Sequence, residues 1–240
     1  MLAEADKPFA ALAAVKRARA LSPDYLRAHI EYINIKSNFL GRYDDVQEEY
    51  ESLIRRHPKN AVYLMAIYYR SNGQFGRQFL TRVVELAPAW AWAHYAKALL
   101  IKQDKPEIAT SELELCIDSD PDANEAYHLL IELQERGLQR LGDAIRTAER
   151  LAAQINIRPT LRLPQLWRLR LVKAQQSKEA KLALREELSQ LASGTSELDV
   201  LQAVRAAYTN LLSDSANAKL IEDRIRQIDS TWKPERGWIY

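Results

Sequence analysis

The sequence predicts an all-α protein that is built from repeated helical hairpins. Composition is the first indication, because the strong helix formers Ala, Leu, Arg, Glu, Lys and Gln dominate the 240 residues. Residues that make turns are scarce, with 7 Gly and 9 Pro. The third indication is a proline junction that recurs at spacings of 35, 30 and 33 residues. Internal repetition of this length is typical of helical repeat proteins.

Each junction ends a predicted helix, because proline cannot continue one. The four junctions are Leu21-Ser22-Pro23, Arg56-His57-Pro58, Leu86-Ala87-Pro88 and Ser119-Asp120-Pro121, and residues 228–232 form a related one with serine in place of proline. Between junctions, apolar residues at helical spacing predict pairs of helices that are joined by short turns. The predicted pairs are 25–39 with 43–56, 62–71 with 75–86, 92–102 with 107–117, and 125–136 with 141–154. Their turns include Gly41, Asn72-Gly73 and Asp104-Lys105-Pro106.

Residues 154–163 interrupt this pattern and predict a longer connection. After them the sequence predicts two further hairpins, formed by helices 164–176, 178–192, 196–213 and 216–229. We therefore divide the chain into repeats over 1–153, the first of them incomplete, and degenerate helical repeats with a C-terminal cap over 154–240.

The second helix of each pair carries small and apolar residues at fixed distances before the proline. The third pair has Ala109, Leu113, Cys116 and Pro121, the first has Val46, Tyr50, Leu53 and Pro58, and the fourth has Ala144, Ala148 and Leu151. Over residues 6–153 this pattern resembles the tetratricopeptide repeat. The resemblance implies a right-handed α-solenoid, a superhelix of about six antiparallel helix hairpins, whose first helices line a concave groove.

The resemblance also indicates which side chains face that groove, when positions are counted from each proline. The candidate partner-binding residues are Asn34, Met65, Tyr69, Trp92, Tyr95, Lys102, His128 and Glu132. Aromatic residues and Met are enriched where binding energy concentrates, and the fourth repeat is acidic. We therefore expect a scaffold that binds a protein or peptide segment with apolar anchors and basic residues. The alternative is that Tyr69, Trp92 and Tyr95 pack between adjacent helices.

No catalytic or cofactor-binding pattern accompanies this groove. The four histidines lack metal-ligand spacing, and the single cysteine, Cys116, occupies a position that favours a small buried residue. Glycine-rich phosphate-binding motifs and the GxSxG motif are absent from the sequence. The sequence therefore predicts neither an enzyme, nor a metal site, nor a bound cofactor.

Two other functions remain open from the residues. The chain could be a non-catalytic accessory region of a larger multidomain enzyme, for example a thioredoxin-like one. It could also bind RNA through a basic stretch in which an aromatic residue is interleaved. That stretch consists of Arg162, Trp167, Arg168, Arg170, Lys173, Lys178, Lys181 and Arg185.

Charge and hydropathy limit the classes of partner and the cellular compartments that we expect. The formal net charge of +2 is too balanced to indicate duplex nucleic acid or an anionic membrane. No apolar run reaches the roughly 18 residues that a membrane span needs. The first residues are acidic where a secretory signal is basic. A soluble protein is expected, and the cytoplasm is favoured over the periplasm.

Overall fold

The computed structural model of the chain describes residues 8–70, 76–230 and 232. Regular structure in these ranges is entirely helical, which confirms the all-α class. Contacts divide the chain into two compact units, Met1–Ser119 (unit 1) and Asp120–Tyr240 (unit 2). This division falls before the boundary at 153/154 that the sequence pattern predicts.

Unit 1 is a succession of helices in which each helix packs on the next. The helices are α1 (Pro8–Leu21), α2 (Leu26–Asn34), α3 (Tyr43–Arg56), α4 (Ala61–Arg70), α5 (Gly76–Leu86), α6 (Ala91–Ile101) and α7 (Pro106–Ser119). Besides these sequential contacts, the first helices α2 and α4 pack directly against each other. This packing of consecutive helices is consistent with a helical repeat. The turn predicted at Asn72-Gly73 lies outside the described residues.

The recurring prolines all make the same local structure. Each proline is the second residue of a turn that a backbone hydrogen bond closes, from the amide two residues after it to the carbonyl of the residue before it. The amides and carbonyls are Tyr25 to Ser22 (3.1 Å), Asn60 to His57 (3.0 Å), Trp90 to Ala87 (2.9 Å) and, in unit 2, Ala123 to Asp120 (3.0 Å). Proline suits this place because its fixed φ matches the turn and it has no N–H to satisfy. The fifth junction, which has serine in place of proline, is closed in the same way by a hydrogen bond from the Trp232 amide to the Asp229 carbonyl (3.1 Å).

The predicted small and apolar positions of the second helices form the core. Residues that are 0% exposed include Val46, Tyr50, Ala109, Leu113 and Cys116 in unit 1, and Ala144, Ala148 and Leu151 in unit 2. A small residue at these places lets two helices approach closely. The core therefore follows the predicted offsets, except that Leu53 is only half-buried.

Unit 2 continues with shorter and less regular elements. Its helices are α8 (Asn124–Glu132), α9 (Leu141–Ala152), α10 (Pro159–Arg162), α11 (Pro164–Lys173), α12 (Lys178–Ser193), α13 (Leu198–Asn210) and α14 (Ser215–Ile228). The expected connection over 154–163 contains the short helix α10, because a proline at a first helical position is already set for helix. The main core of α11–α14 is built around Trp167, Leu188, Val204 and Ile225.

Two hairpin turns, one in each unit, share an unusual geometry. In unit 1, α2 continues into a π-helical turn, Ile35–Phe39, and in unit 2, α8 continues into another, Leu133–Gly137. Each π-helical turn is followed by a residue with a positive φ, which is 64° at Gly41 and 55° at Gln139. The predicted turn at Gly41 is thus confirmed, and the same turn recurs 98 residues later in the sequence.

A side-chain contact between successive loops also occurs once in each unit. In unit 1, the Asn60 amide donates to the Asp24 carboxylate at 3.3 Å, and in unit 2 the Asn156 amide donates to Asp122 at the same distance. Each pair joins the loop before one hairpin to the loop that follows it. The same side-chain contact is thus made at two places whose aspartates lie 98 residues apart in the sequence.

Candidate functional site

An aromatic cluster lies on the first helices of unit 1 and contains three of the predicted groove residues. The Tyr69 ring of α4 stacks on the Tyr95 ring of α6, with centroids 6.4 Å apart and planes 8° apart. The Trp92 ring meets both edge-on, at 6.0 Å from Tyr69 and 5.6 Å from Tyr95. The Tyr68 ring adds a further edge contact to Tyr69. These rings bridge α4 and α6, as the packing alternative expected.

The predicted groove positions separate into two sets by exposure. Trp92 is 5% exposed, Tyr95 is 8% exposed and Met65 is fully buried. Their side chains belong to the core in this conformation, and a partner could not touch Met65 unless α4 moved. On each of the helices α2, α4 and α6, the residue four positions after the buried Ile30, Met65 or Tyr95 is half-buried. This accessible set is Asn34, Tyr69 and Leu99, with Lys102 at the end of α6, and we call it the first-helix row.

An ion cluster that sequence reasoning missed lies between α6 and α7. His94 donates through Nδ1 to Oε2 of Glu112 at 2.7 Å, and the Lys97 ammonium lies 2.6 Å from the other carboxylate oxygen. Burial raises the pKa of Glu112, but the hydrogen bonds from His94 and Lys97 outweigh it and hold the pKa below its usual range. The carboxylate is therefore ionised and fully engaged by its neighbours.

A second cluster surrounds Glu49 between α1, α2 and α3. The Arg19 guanidinium donates to Glu49 at 3.0 Å, the Tyr32 hydroxyl donates at 2.5 Å and the Lys36 ammonium lies at 3.5 Å. Arg19 also lies over the Tyr32 ring, 3.9 Å from its centroid. Burial raises the pKa of Glu49, yet these donors lower it overall. The cluster contains two cations, Arg19 and Lys36, and one anion, Glu49, and all three side chains are partly exposed to solvent.

The two carboxylates occupy equivalent places in the repeat. Glu49 lies three residues after the buried Val46, and Glu112 lies three residues after the buried Ala109. In unit 2 the same place holds Thr147, which donates to the Gln134 amide oxygen at 2.8 Å. The sequence contained this signal as a polar residue between two core positions, but its partners on the preceding helix follow only from the packing.

His29 has a structural role in the first hairpin. Its Nε2 lies 2.8 Å from the Pro23 carbonyl, which can only accept, so Nε2 carries the proton. The other ring nitrogen then accepts from the Tyr50 hydroxyl at 2.8 Å. Burial lowers the pKa of His29, and this favours the neutral ring. The arrangement fixes the proline turn to α3 and leaves no imidazole nitrogen for catalysis.

In unit 2, the predicted groove residues His128 and Glu132 differ in their surroundings. His128 is half-buried, burial lowers its pKa, and its ring contacts the backbone of Leu161. Glu132 is exposed at the end of α8. The neighbouring Glu135 is engaged by two parallel hydrogen bonds from Arg168, at 2.8 and 2.6 Å. The acidic end expected from the sequence is therefore partly neutralised, and Glu132 remains its accessible carboxylate.

The basic stretch is partly engaged within unit 2, because three of its arginines pair with carboxylates. Besides Arg168, Arg170 lies 3.6 Å from Glu187, and Arg185 donates to Asp214 at 3.0 Å. Trp167 is 2% exposed and donates to Glu187, so its ring cannot stack on a nucleotide base. These contacts leave fewer cations for phosphate groups and no accessible tryptophan in this stretch.

Within the described ranges, no cluster of three or more His, Cys, Asp or Glu side chains has the arrangement of a metal site. Cys116 is buried. Among the described helices, none is both long and apolar enough to cross a membrane. Comparison of the sequence with protein-family models and with curated proteins finds no match.

Proposed function

We propose that the chain is a helical repeat domain of the tetratricopeptide type that binds a protein or peptide segment. The observation that carries the proposal is the first-helix row, since Asn34, Tyr69 and Leu99 recur at one repeat position on three helices of unit 1. Repetition of an accessible position along successive helices gives a line of contacts, which suits an extended or helical peptide. Within unit 1, we propose that the hairpins stack as a right-handed α-solenoid.

The row has the chemistry of a peptide-binding surface. Tyr69 offers a half-buried aromatic ring that contacts with Trp92 and Tyr95 hold in place. A ring that is already fixed loses little conformational entropy when a partner covers it. Leu99 adds apolar area, while Asn34 and Lys102 supply an amide and a cation at the two ends. A peptide segment that places an apolar anchor on Tyr69 and Leu99 and a carboxylate near Lys102 would match the residues of the row.

The engaged ion clusters support a binding role over a catalytic one. Glu49 and Glu112 are each held ionised by cations and hydrogen bonds, so neither is poised to transfer a proton near neutral pH. They instead fix the second helices to the first helices and keep the row rigid. The paired arginines of unit 2 likewise favour a protein partner over RNA.

The test is to select peptides against the purified 240-residue protein and to measure their affinity for point variants. We expect Tyr69→Ala to weaken binding about tenfold or more, as truncation of an aromatic anchor does. Lys102→Glu should weaken peptides that carry a carboxylate. Tyr43→Ala is the matched control, because Tyr43 is 48% exposed on the second helix α3.

The proposal fails if Tyr69→Ala and Lys102→Glu both bind the selected peptides as the parent protein does. It also fails if Tyr43→Ala has as large an effect as Tyr69→Ala. Thermal unfolding of each variant shows that a loss of binding is not a loss of fold.

A further inference from the structure

A polar cleft in unit 2 contains a cation that the helical framework does not neutralise. The cleft lies between α13 and α14 and is lined by Arg205, Thr209, Ser213, Ser215, Ala218, Lys219 and Glu222. It is separate from the first-helix row, which belongs to unit 1. We propose that this anion cleft binds a carboxylate group, with Arg205 as its main contact.

Arg205 differs in its partners from three other arginines of unit 2. Arg168, Arg185 and Arg226 each have a carboxylate within 3.0 Å. In the part of the chain that the structure describes, Arg205 makes no ion pair, and its contact is with the face of the Trp232 ring, 5.5 Å from the centroid. Its Nε is buried with no hydrogen-bond partner among these residues. A half-buried guanidinium that has no anionic partner among the described residues gains most from a ligand that accepts two parallel hydrogen bonds.

The remaining groups that line the cleft favour a ligand with a single negative charge. The Lys219 ammonium lies 3.0 Å from Asp223 and 3.8 Å from Glu222, so its charge is largely compensated. The carboxylate of Glu222 also accepts from Arg226 at 2.5 Å. Arg205, Lys219 and Glu222 together carry a net charge of +1, which matches a monoanion. A phosphate dianion would be repelled by Glu222.

Hydroxyl groups can complete the site around a carboxylate. Ser213 and Ser215 lie at the edge of the cleft, and each can turn its O–H toward a bound oxygen. The Thr209 hydroxyl donates to the Arg205 carbonyl at 3.1 Å, so it fixes the helix and does not serve as a donor to the ligand. The cleft is therefore suited to the terminal carboxylate of a peptide or to the side chain of an acidic residue.

The experiment follows backbone amides and the Arg205 Nε–H by NMR while small carboxylates are added to the full chain. N-acetylalanine probes a terminal carboxylate, and N-acetylaspartate α-amide probes a side-chain carboxylate. N-acetylalanine amide is the neutral control, and inorganic phosphate is the dianion control. We expect saturable shifts that centre on Arg205, Ser213 and Ser215 with at least one of the two carboxylates, and neither control should produce them.

Variants separate the cleft from general charge effects. Arg205→Gln should weaken the carboxylate about tenfold or abolish its shifts, because it removes a bidentate charged donor. Arg146→Gln makes the same charge change on α9 at an exposed residue outside the cleft, and it should leave the shifts unchanged. Glu222→Gln should tighten phosphate relative to the parent protein, since it removes the repelling charge.

Three results would overturn the proposal. The first is that neither carboxylate gives saturable shifts at Arg205 in the parent protein, and this arm needs no variant to fold. The second is that the neutral amide or phosphate binds as well as the carboxylates. The third is that a folded Arg205→Gln protein retains the parent affinity. None of these outcomes bears on peptide binding by the first-helix row, which is tested separately.

Discussion

Glu49 and Glu112 illustrate how single residues hold this fold together. A buried carboxylate is costly unless cations and hydrogen bonds compensate it. Glu49 is half-buried and is compensated by Arg19, Tyr32 and Lys36. Glu112 is buried and is compensated by His94 and Lys97 from the preceding helix. The pairing fixes the register between two helices as well as satisfying the charge. These residues therefore matter for the packing of neighbouring helices.

Replacing Glu112 with glutamine should destabilise the protein by about 1 kcal/mol at pH 7, the size of a charge-assisted contact that is partly screened through the exposed Lys97. The folded-state pKa of Glu112 lies below its ordinary value of 4.5. Its stabilisation is therefore present above about pH 4.5 and is lost as the pH falls through the folded pKa. Thermal unfolding from pH 3 to pH 7 measures both effects.

The matched control for this substitution is Glu48→Gln, because Glu48 is exposed on α3. We expect this variant to unfold within about 0.5 kcal/mol of the parent protein, as surface substitutions do. If Glu112→Gln and Glu48→Gln gave the same pH profile of stability, the compensated-carboxylate account would be contradicted.

Trp92 should contribute to stability more than to partner contact. It is 5% exposed and packs edge-on against Tyr69 and Tyr95. We expect Trp92→Ala to cost about 3–5 kcal/mol, the usual loss for a large buried aromatic residue. Chemical denaturation measures this free energy, and Tyr25→Ala at a residue 55% exposed serves as the control. An unfolding free energy within 1 kcal/mol of the parent would show that Trp92 is not part of the core.

At the scale of elements, the two π-helical turns explain how a hairpin reverses direction. In each turn the amide of the residue after the π-helical segment reaches back five positions, at 3.1 Å from Leu40 to Ile35 and at 2.8 Å from Leu138 to Leu133. The chain then passes through a residue with positive φ before the second helix begins. Glycine adopts this conformation without cost, whereas glutamine at the equivalent place is strained.

Substitutions at the two positive-φ positions should have opposite effects on stability. Gly41→Ala meets no atom within 4 Å, so its cost is conformational, and we expect about 1 kcal/mol of destabilisation. Gln139→Gly should relieve the strain at φ 55° and stabilise by up to about 1 kcal/mol. Urea denaturation of both variants checks the pair. Effects of the same sign would contradict the assigned turn geometry.

Several elements could be predicted from the sequence because their signals are local. Proline fixes each junction through its own backbone, and the small residues of the second helices follow helical spacing. The π-helical turns could not be predicted in this way, since each covers five residues at the end of a helix and too few residues follow to show a change in the apolar period. The short helix α10 was expected as part of a connection, because four residues are too few to show periodicity.

At the scale of the whole molecule, the sequence grouped three of the candidate side chains but could not give their exposure. The offset from each proline correctly brings Tyr69, Trp92 and Tyr95 together across α4 and α6. It cannot tell which of these side chains a neighbouring helix covers, because exposure depends on contacts between hairpins. The same limit applies to Arg205, because its surroundings depend on how α13 and α14 pack within unit 2.

The central claim is that the first-helix row of unit 1 contacts a bound peptide. The most direct measurement places a photo-crosslinking amino acid at position 69, 99 or 43, one at a time, and irradiates each protein with a peptide selected against the parent chain. Crosslinks should form from positions 69 and 99, on α4 and α6, and not from position 43 on α3. Equal crosslinking from all three positions, or from position 43 alone, would contradict the claim.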